Sequence, residues 1–122
     1  MVKIIELRKA ILTYLKTKHS KVYFQSAPQK ADTPYVVFDL PNSIDDGSLE
    51  RFVLDIDVWD DSEDTNTVET LIDSIDVDLH RKTINASNEF AFTFYRENRL
   101  SLVDDDPRIK RRKYIYQVRT YG

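Results

Sequence analysis

The sequence predicts an α+β fold, in which a mostly antiparallel or mixed sheet of about five strands carries two helices on one face. Two segments have the apolar spacing of amphipathic helices, and the other regular segments alternate with a period of two. Short polar connections between successive strands favour antiparallel neighbours. The predicted order is α-β-β-β-α-β-β, within one domain spanning 1–122.

The first helix is predicted over residues 2–18, where apolar residues recur at intervals of three and four. This stripe consists of Ile4, Leu7, Ile11 and Leu15. Lys16, Lys18 and His19 come at the end of the segment, where positive charge complements the exposed carbonyl groups of a helix terminus.

Three strands are predicted next. The first covers 22–25, and the loop 26–34 holds two prolines that exclude it from the interior of a sheet. The second begins at Tyr35 and fades by Leu40. The segment 41–48, which contains Gly47, is predicted to be a mobile connection.

The third strand, 49–59, alternates strictly along its length. One face carries Phe52, Leu54, Ile56 and Val58, and the other carries Arg51, Asp55, Asp57 and Trp59. Since successive side chains of a strand point to opposite sides, the apolar set is predicted to face the core.

The second helix follows an acidic segment and keeps helical spacing through Val68, Leu71, Ile72, Ile75 and Leu79. Asp64 or Asn66 could cap its first turn, and Glu69 has the spacing from Asn66 that a capping box requires.

Two strands complete the chain. After a turn at 85–89, Phe90, Phe92 and Phe94 alternate with smaller or polar residues, so their aromatic side is predicted to lie in the core. Leu100 and Leu102 extend this strand beyond a bulge at 97–99. A turn at 104–107 leads to the last strand, 109–121.

Helices on one side of a sheet leave the other side uncovered, and aromatic residues among charges on such a side are typical of an interface. The sequence therefore predicts an oligomer or partner interface on this side. Its proposed residues are Asp55, Asp57, Trp59, Tyr95, Arg111, Lys113 and Arg119.

The net charge is only −3, but acidic and basic residues are separated along the chain. Between Asp45 and Asp64, Arg51 is the only basic residue, and between Arg108 and Arg119 there is no acidic one. Two interpretations are open. The acidic patch of one copy could attract the basic patch of another, or the two strands could lie side by side within one molecule.

Composition excludes several classes. Hydrophobic residues make up 41% and charged residues 32%, which is typical of a globular domain rather than a disordered chain or a membrane span. With no cysteine, disulfides and thiolate metal sites are impossible. The two glycines, Gly47 and Gly122, do not form a phosphate-binding loop, and His19 and His80 are interpreted as partners of helix dipoles.

Three further patterns have the residue types of functional sites. Asp55 and Asp57 could serve a metal-dependent hydrolase, but a solvated or paired acidic face is favoured because the motif is unspecific. The acidic run 104–106 is explained by a turn. The basic segment 108–113 could form a nucleic-acid-binding module, although alternate residues of a strand face opposite ways. No catalytic, cofactor-binding or metal-binding residue is predicted, and the chain is not expected to be an enzyme.

A family resemblance rests on three short motifs. They are Ala27-Pro28, the run 34–38 (PYVVF), and Asp57-Val58-Trp59 at the end of the third strand. In this order, before a helix, they resemble the small tail-completion or tail-terminator proteins of long-tailed bacteriophages, the group that includes the minor tail protein U of phage lambda. The resemblance extends from the first helix to the last strand.

This resemblance implies a structural virion protein made in the host bacterial cytoplasm. Its members are expected to form a homohexameric ring that caps the tail tube, contacts the tail tube protein and joins a head-completion or connector protein. Genomic DNA would pass through the lumen without sequence-specific binding, and neither a membrane nor a cofactor is involved. A neighbouring head–tail joining protein is the alternative within the same class. The loops 26–34, 41–48 and 103–108 are expected to become ordered on partner contact.

Overall fold

A computed structural model describes residues 3–45, 50–86 and 90–121 of the chain. These residues form two helices and six strands. In chain order the elements are α1 (Lys3–Lys16), β1 (Val22–Phe24), β2 (Tyr35–Asp45), β3 (Glu50–Asp61), α2 (Asn66–Leu79), β4 (Thr83–Asn85), β5 (Ala91–Val103) and β6 (Ile109–Tyr121).

The predicted α+β class and the order of its elements are confirmed, but the described residues contain six strands rather than five. The additional strand is β4, whose three residues are too short to show a period of two. Residues 87–89 of the turn predicted at 85–89 lie outside the described residues.

β2 continues past the point where the sequence predicted a connection. A bulge between Asp39 and Asn42 takes up Pro41, and pairing with β3 resumes at Asn42 and runs to Asp45. The prediction that 41–45 is a mobile connection was therefore wrong, because a bulge tolerates a proline that lacks a backbone donor. Gly47 and the rest of that segment lie outside the described residues.

The sheet has the strand order β1-β2-β3-β6-β5-β4. β1 and β2 are parallel, and the remaining neighbours are antiparallel. β3 and β6 pair from Arg51–Arg119 to Asp61–Ile109, so they form the long centre of the sheet. This topology places the acidic strand directly beside the basic one.

The core lies on one side of the sheet, beneath both helices. The strict alternation of β3 buries its predicted apolar set, and β6 contributes Tyr116 and Val118. The helices contribute Leu7, Ile11, Tyr14 and Leu15 from α1, and Val68, Ile72, Ile75 and Leu79 from α2. Each such side chain removed from water stabilises the fold by about 1.5–3 kcal/mol before the entropy of ordering is counted.

A bulge between Arg96 and Asn98 changes which side of the sheet the residues of β5 face. Phe92 and Phe94 precede it and are buried under the helices. Leu100 and Leu102 follow it and pair with Lys113 and Arg111, which place them on the opposite side. The extra residue is the reason, since it offsets the alternation of side chains by one position.

A buried polar network around Asp76 joins α2 to β5 and β6. The Tyr116 hydroxyl donates to Asp76 Oδ1 at 2.6 Å, and the Arg96 guanidinium donates to Asp76 Oδ2. Arg99 Nη2 lies 3.6 Å from the same oxygen. Because both arginines reach Asp76 from the two sides of the bulge, the network compensates the buried carboxylate and fixes the bend of β5.

The ends of the helices differ in detail from the sequence-based expectations. Thr65, not Asp64 or Asn66, occupies the N-cap of α2, and its side chain makes no cap hydrogen bond. Asp64 Oδ1 accepts the backbone N–H of Asn66 at 2.9 Å instead. His80 Nδ1 accepts the backbone N–H of Arg96 at 2.9 Å, which ties the C-cap residue of α2 to β5.

Neither helix in the described part of the chain is long and apolar enough to cross a membrane.

Candidate interaction surface

The side of the sheet that faces away from both helices is called here the helix-free face. Its side chains belong to odd-numbered positions of β3 and β6, to their neighbours on β2, and to the residues of β5 that pair with them. All seven residues predicted for an interface lie on this face: Asp55, Asp57, Trp59, Tyr95, Arg111, Lys113 and Arg119. The register of β3, β6 and β5 brings them together.

An aromatic and charged cluster occupies the half of this face nearest to β1. The Trp59 ring stacks on Tyr35 with centroids 5.9 Å apart and planes at 15°, and Tyr35 meets Tyr23 edge to face at 6.1 Å. Arg111 Cζ lies 3.8 Å from the Trp59 ring centroid. A guanidinium at this distance is held by the electron-rich face of the ring.

Arg111 also forms an ion pair with Asp57, its Nη2 donating to Asp57 Oδ2 at 2.5 Å. Asp57 is only 7% exposed. Asp57 Oδ1 and Arg111 Nε have no hydrogen-bond partner among the described residues. Arg111 and Asp57 are therefore joined by one hydrogen bond rather than by the two parallel bonds of a bidentate pair. Part of the desolvation cost of both groups remains uncompensated.

Burial governs the titration of the two carboxyl groups on β3. It raises the pKa of Asp57, although the hydrogen bond and charge of Arg111, the charge of Lys113 and the side chain of Trp59 oppose the shift. Burial likewise raises the pKa of Asp55, where Lys113 opposes the shift and Asp39 and Asp57 add to it. Both carboxyl groups thus accept a proton more readily than an isolated aspartate does.

A second cation–aromatic contact lies at the other end of the face. Arg119 Cζ is 4.8 Å from the Tyr95 ring centroid, and Arg119 Nε donates to Gln117 Oε1 at 3.1 Å. Thr93 pairs with Arg119 across the ladder, and its hydroxyl lies 2.7 Å from that of Thr83. Tyr95 and Arg119 are therefore already arranged side by side within one molecule.

The charge separation seen along the sequence is largely resolved inside the molecule. Asp57 lies opposite Lys113 and bonds to Arg111, so acidic β3 and basic β6 neutralise each other across one ladder. Of the two interpretations left open above, the adjacent-strand arrangement is the one that the structure shows for these residues. Attraction between copies is not needed to explain the pattern.

The basic segment 108–113 is divided between two sides of the sheet. Arg111 and Lys113 lie on the helix-free face, whereas Arg112 bonds to Glu69 at the start of α2 at 2.9 Å. Arg108 pairs with Asp106 at 3.1 Å. This arrangement lacks the continuous basic surface by which a nucleic-acid-binding module would contact successive phosphates.

The acidic turn before β6 is organised by its own backbone. Asp104 Oδ1 accepts the N–H of Asp106, and Asp106 Oδ1 accepts the N–H of Arg108, both at 3.0 Å. These are the local bonds by which aspartate stabilises turns. Across residues 3–45, 50–86 and 90–121, no group of three or more His, Cys, Asp or Glu side chains is arranged to hold a metal ion.

An open groove of about 690 Å³ lies on the helix side, between α2 and the hairpin of β5 and β6. Its charged wall residues are Glu69, Asp73, Arg99 and Arg112. The ring centroid of Tyr114 lies 5.4 Å from Arg99 Cζ. An open groove with charged side chains along its walls is unlike the enclosed pockets that hold small ligands.

Sequence reasoning missed two aromatic members of the helix-free face. Tyr23 and Tyr35 are brought beside Trp59 by the pairing of β1, β2 and β3. The alternation of 35–38 carried a usable signal, because Val36 and Phe38 are apolar core candidates and Tyr35 must then point the other way. The neighbour of Tyr35 could not be deduced, since it depends on long-range strand order.

A profile of the family described as "Tail completion protein gp17" matches residues 7–121. The chain belongs to this family. Its members are structural proteins of phage tails, and the match includes every strand and most of α1, as well as all of α2. The resemblance seen in the three sequence motifs is thereby confirmed.

One solved structure extends the comparison to the fold. A chain of the virion of a native gene transfer agent particle superposes with a TM-score of 0.74 and 16% sequence identity, over 95% of each chain. At this identity the likeness concerns the fold alone. No curated protein sequence matches the tail-completion chain.

Proposed function

We propose that this tail-completion protein forms a homohexameric ring that closes the tail tube and joins it to a head-completion or connector protein. The whole chain, 1–122, acts as one domain without catalytic activity. It is made in the host cytoplasm and resides in the virion between tail and head. Genomic DNA passes through the ring without sequence-specific binding.

Family membership is the observation that carries this proposal. The matched residues, 7–121, include most of α1, all of α2 and the complete sheet of the described chain, so the shared part is nearly the whole fold rather than a single motif. A subunit of this kind needs surfaces for its own copies and for two different neighbours along the tail axis.

We assign the helix-free face to the wall of the channel. Asp55, Asp57, Arg111 and Lys113 alternate in sign across β3 and β6, so neither sign dominates the centre of this face. A wall of balanced charge neither retains phosphates nor excludes them strongly, which suits a passing DNA duplex. A contact with neighbouring subunits, the role that the sequence suggested for this face, is the alternative.

The ring is tested by measuring the mass of the purified chain by light scattering, alone and with tail tube protein. We expect a defined hexamer in at least the second sample, visible as closed rings by electron microscopy. A chain that stays monomeric with tube protein, and leaves tube length unaffected, contradicts the proposal. Binding to connector protein but not to tube would instead identify a head–tail joining protein.

The role of the face is tested with Asp55→Lys, since Asp55 is half-buried and outside the Asp57–Arg111 ion pair. Glu63→Lys, in the exposed turn before α2, is the matched control for charge. Normal assembly with slowed DNA delivery supports a channel wall. Lost oligomerisation supports a contact between subunits, and no effect on either rejects both roles.

A further inference from the structure

Both outer strands of the sheet cover only part of their neighbours. β1 pairs with β2 along 36–38, and β4 pairs with β5 along 91–93. Within the described chain, this leaves 40–45 of β2 and 97–103 of β5 without a neighbouring strand on their outer side. Unpaired edges of this kind are templates for a strand from another molecule.

The direction of the free backbone groups of β5 follows from observed bonds. Phe94 N–H donates outward to Lys82 O, and Arg96 N–H donates outward to His80 Nδ1, both at 2.9 Å. Beyond the bulge, Asn98 lies opposite Ile115, whose backbone N–H and C=O groups are directed toward β5. The backbone groups of Asn98 are therefore directed inward, toward β6. The outward N–H and C=O groups of the free segment therefore belong to Arg99, Ser101 and Val103.

The same alternation applies to β2. Gln25 N–H donates to Phe38 O and Val36 N–H donates to Lys21 O. The backbone N–H and C=O groups of the even-numbered residues are therefore directed outward before the bulge. After it, Ser43 and Asp45 lie opposite Phe52 and Glu50 of β3 and take the outward positions. Pro41, which has no N–H, marks the limit of the free segment.

Each free edge also exposes a large apolar side chain. Ile44 is 56% exposed and Val103 is 96% exposed. Ile44, opposite Arg51, and the half-buried Leu100, opposite Lys113, belong to the helix-free face, whereas Val103, opposite Lys110, lies on the helix side. Apolar residues on two unpaired edges at opposite sides of one sheet fit a head-to-tail contact between copies.

We propose that the free edge of β5 in one copy pairs antiparallel with the free edge of β2 in the next copy, extending one sheet through the ring. With Ser101 opposite the neighbour's Ser43, Leu100 meets its Ile44 on the helix-free face. The proposal rests on the ring described above and names the surface that closes it.

Strand directions and offsets agree with a closed barrel. β2 and β5 run in opposite directions within the sheet, so copies in equivalent orientation present them antiparallel. Measured along β3, Ser43 is level with Phe52, and Ser101 is level with Val58 through its partner Arg112. The two edge positions are therefore offset by about six residues, or roughly 20 Å, along the strand direction. Over four strand spacings of about 4.8 Å this offset corresponds to a tilt of about 45°, close to the 35–45° of closed barrels.

Proline substitution tests the pairing. Ser101→Pro and Ser43→Pro each remove an outward N–H while leaving the bonds to β6 and β3 in place. Ser101→Ala and Ser43→Ala keep that N–H and serve as matched controls. We expect the proline variants to lose ring assembly and the alanine variants to assemble as the wild type does, with circular dichroism showing all four folded. Rings formed normally by both proline variants would overturn the proposal.

Disulfide trapping provides an independent readout, because the chain has no native cysteine. A Ser43→Cys, Ser101→Cys variant should form covalent oligomers up to the full ring under oxidation, and Ser43→Cys, Thr67→Cys should not. Wild-type rings without cross-links in the first variant reject edge pairing and leave the ring intact. A wild-type chain that forms no ring under any condition rejects the proposed function itself.

Discussion

At the residue scale, the feature that needs an explanation is the buried carboxylate of Asp57, which lies on a face that no helix covers. Asp57 is shielded by its strand neighbours and by the Trp59–Arg111 contact rather than by a second layer of structure. Arg111 donates to Asp57 Oδ2, and Oδ1 has no hydrogen-bond partner in the described residues. Such a pair fixes local geometry more effectively than it stabilises the fold.

An Asp57→Asn variant should gain stability relative to the wild type as pH rises from about 4 toward neutrality. Since the pKa of Asp57 in the folded chain lies above 3.8, the folded state binds a proton more readily than the unfolded state between the two values. The wild type therefore loses stability as pH rises through that interval, and asparagine cannot titrate. Urea unfolding across this range measures the difference. A difference that stays constant with pH would refute the expectation.

Tyr116→Phe should lower the free energy of unfolding by roughly 1–3 kcal/mol, because the buried Asp76 carboxylate loses its tyrosine donor. Tyr114→Phe is the control on the same strand, as Tyr114 is only half-buried. We expect the control to change stability by less than about 0.5 kcal/mol. Equal losses in the two variants, measured by urea unfolding, would show that Asp76 does not depend on Tyr116.

At the scale of elements, the apolar stripe of each helix fixes its position on the sheet. Ile72 of α2 is 1% exposed, whereas Val77 on the same helix is 69% exposed. Ile72→Ala should therefore cost about 2–5 kcal/mol in stability, and Val77→Ala less than about 0.5 kcal/mol. Thermal or urea unfolding of the two variants is the measurement, and similar losses would contradict the observed orientation of α2.

Elements with a long, clear period could be predicted from the sequence, and elements defined by pairing could not. β3 was predictable because its alternation is strict, whereas β4 has three residues and exists through its ladder with β5. The continuation of β2 beyond Pro41 depends on a bulge that only β3 reveals. Asp76 offered a signal that was missed, since a carboxylate four residues after Ile72 lies within an apolar helical stripe.

The sequence was sufficient to predict which residues share the candidate surface, but not which of them contact each other. Alternation correctly placed Asp55, Asp57 and Trp59 on one side of β3. That Arg111 would bond to Asp57 could not be deduced, because strand order depends on contacts between residues far apart in the chain. The charge separation along the sequence consequently suggested a contact between copies that the pairing of β3 with β6 makes unnecessary.

At the scale of the whole molecule, internal neutralisation of β3 by β6 affects how copies associate. If subunits associate through backbone and apolar contacts, raising the salt concentration from about 0.1 M to about 1 M should change ring formation little, because screening acts on exposed charges. Association of an acidic patch with a basic one would weaken steeply over this range. Light scattering across the salt series distinguishes the two, and a steep loss of rings would favour the electrostatic contact.

Trp59 is the only tryptophan of the chain, and it lies on the helix-free face between Tyr35 and Arg111. The tryptophan fluorescence of the unmodified protein, excited at wavelengths where tyrosine does not absorb, consequently originates from one known position in the sheet. A guanidinium and a phenol ring in contact with an indole make its emission sensitive to any change in their packing. The protein thus carries its own optical probe, which can follow in real time, without a label, what reaches this side of the sheet.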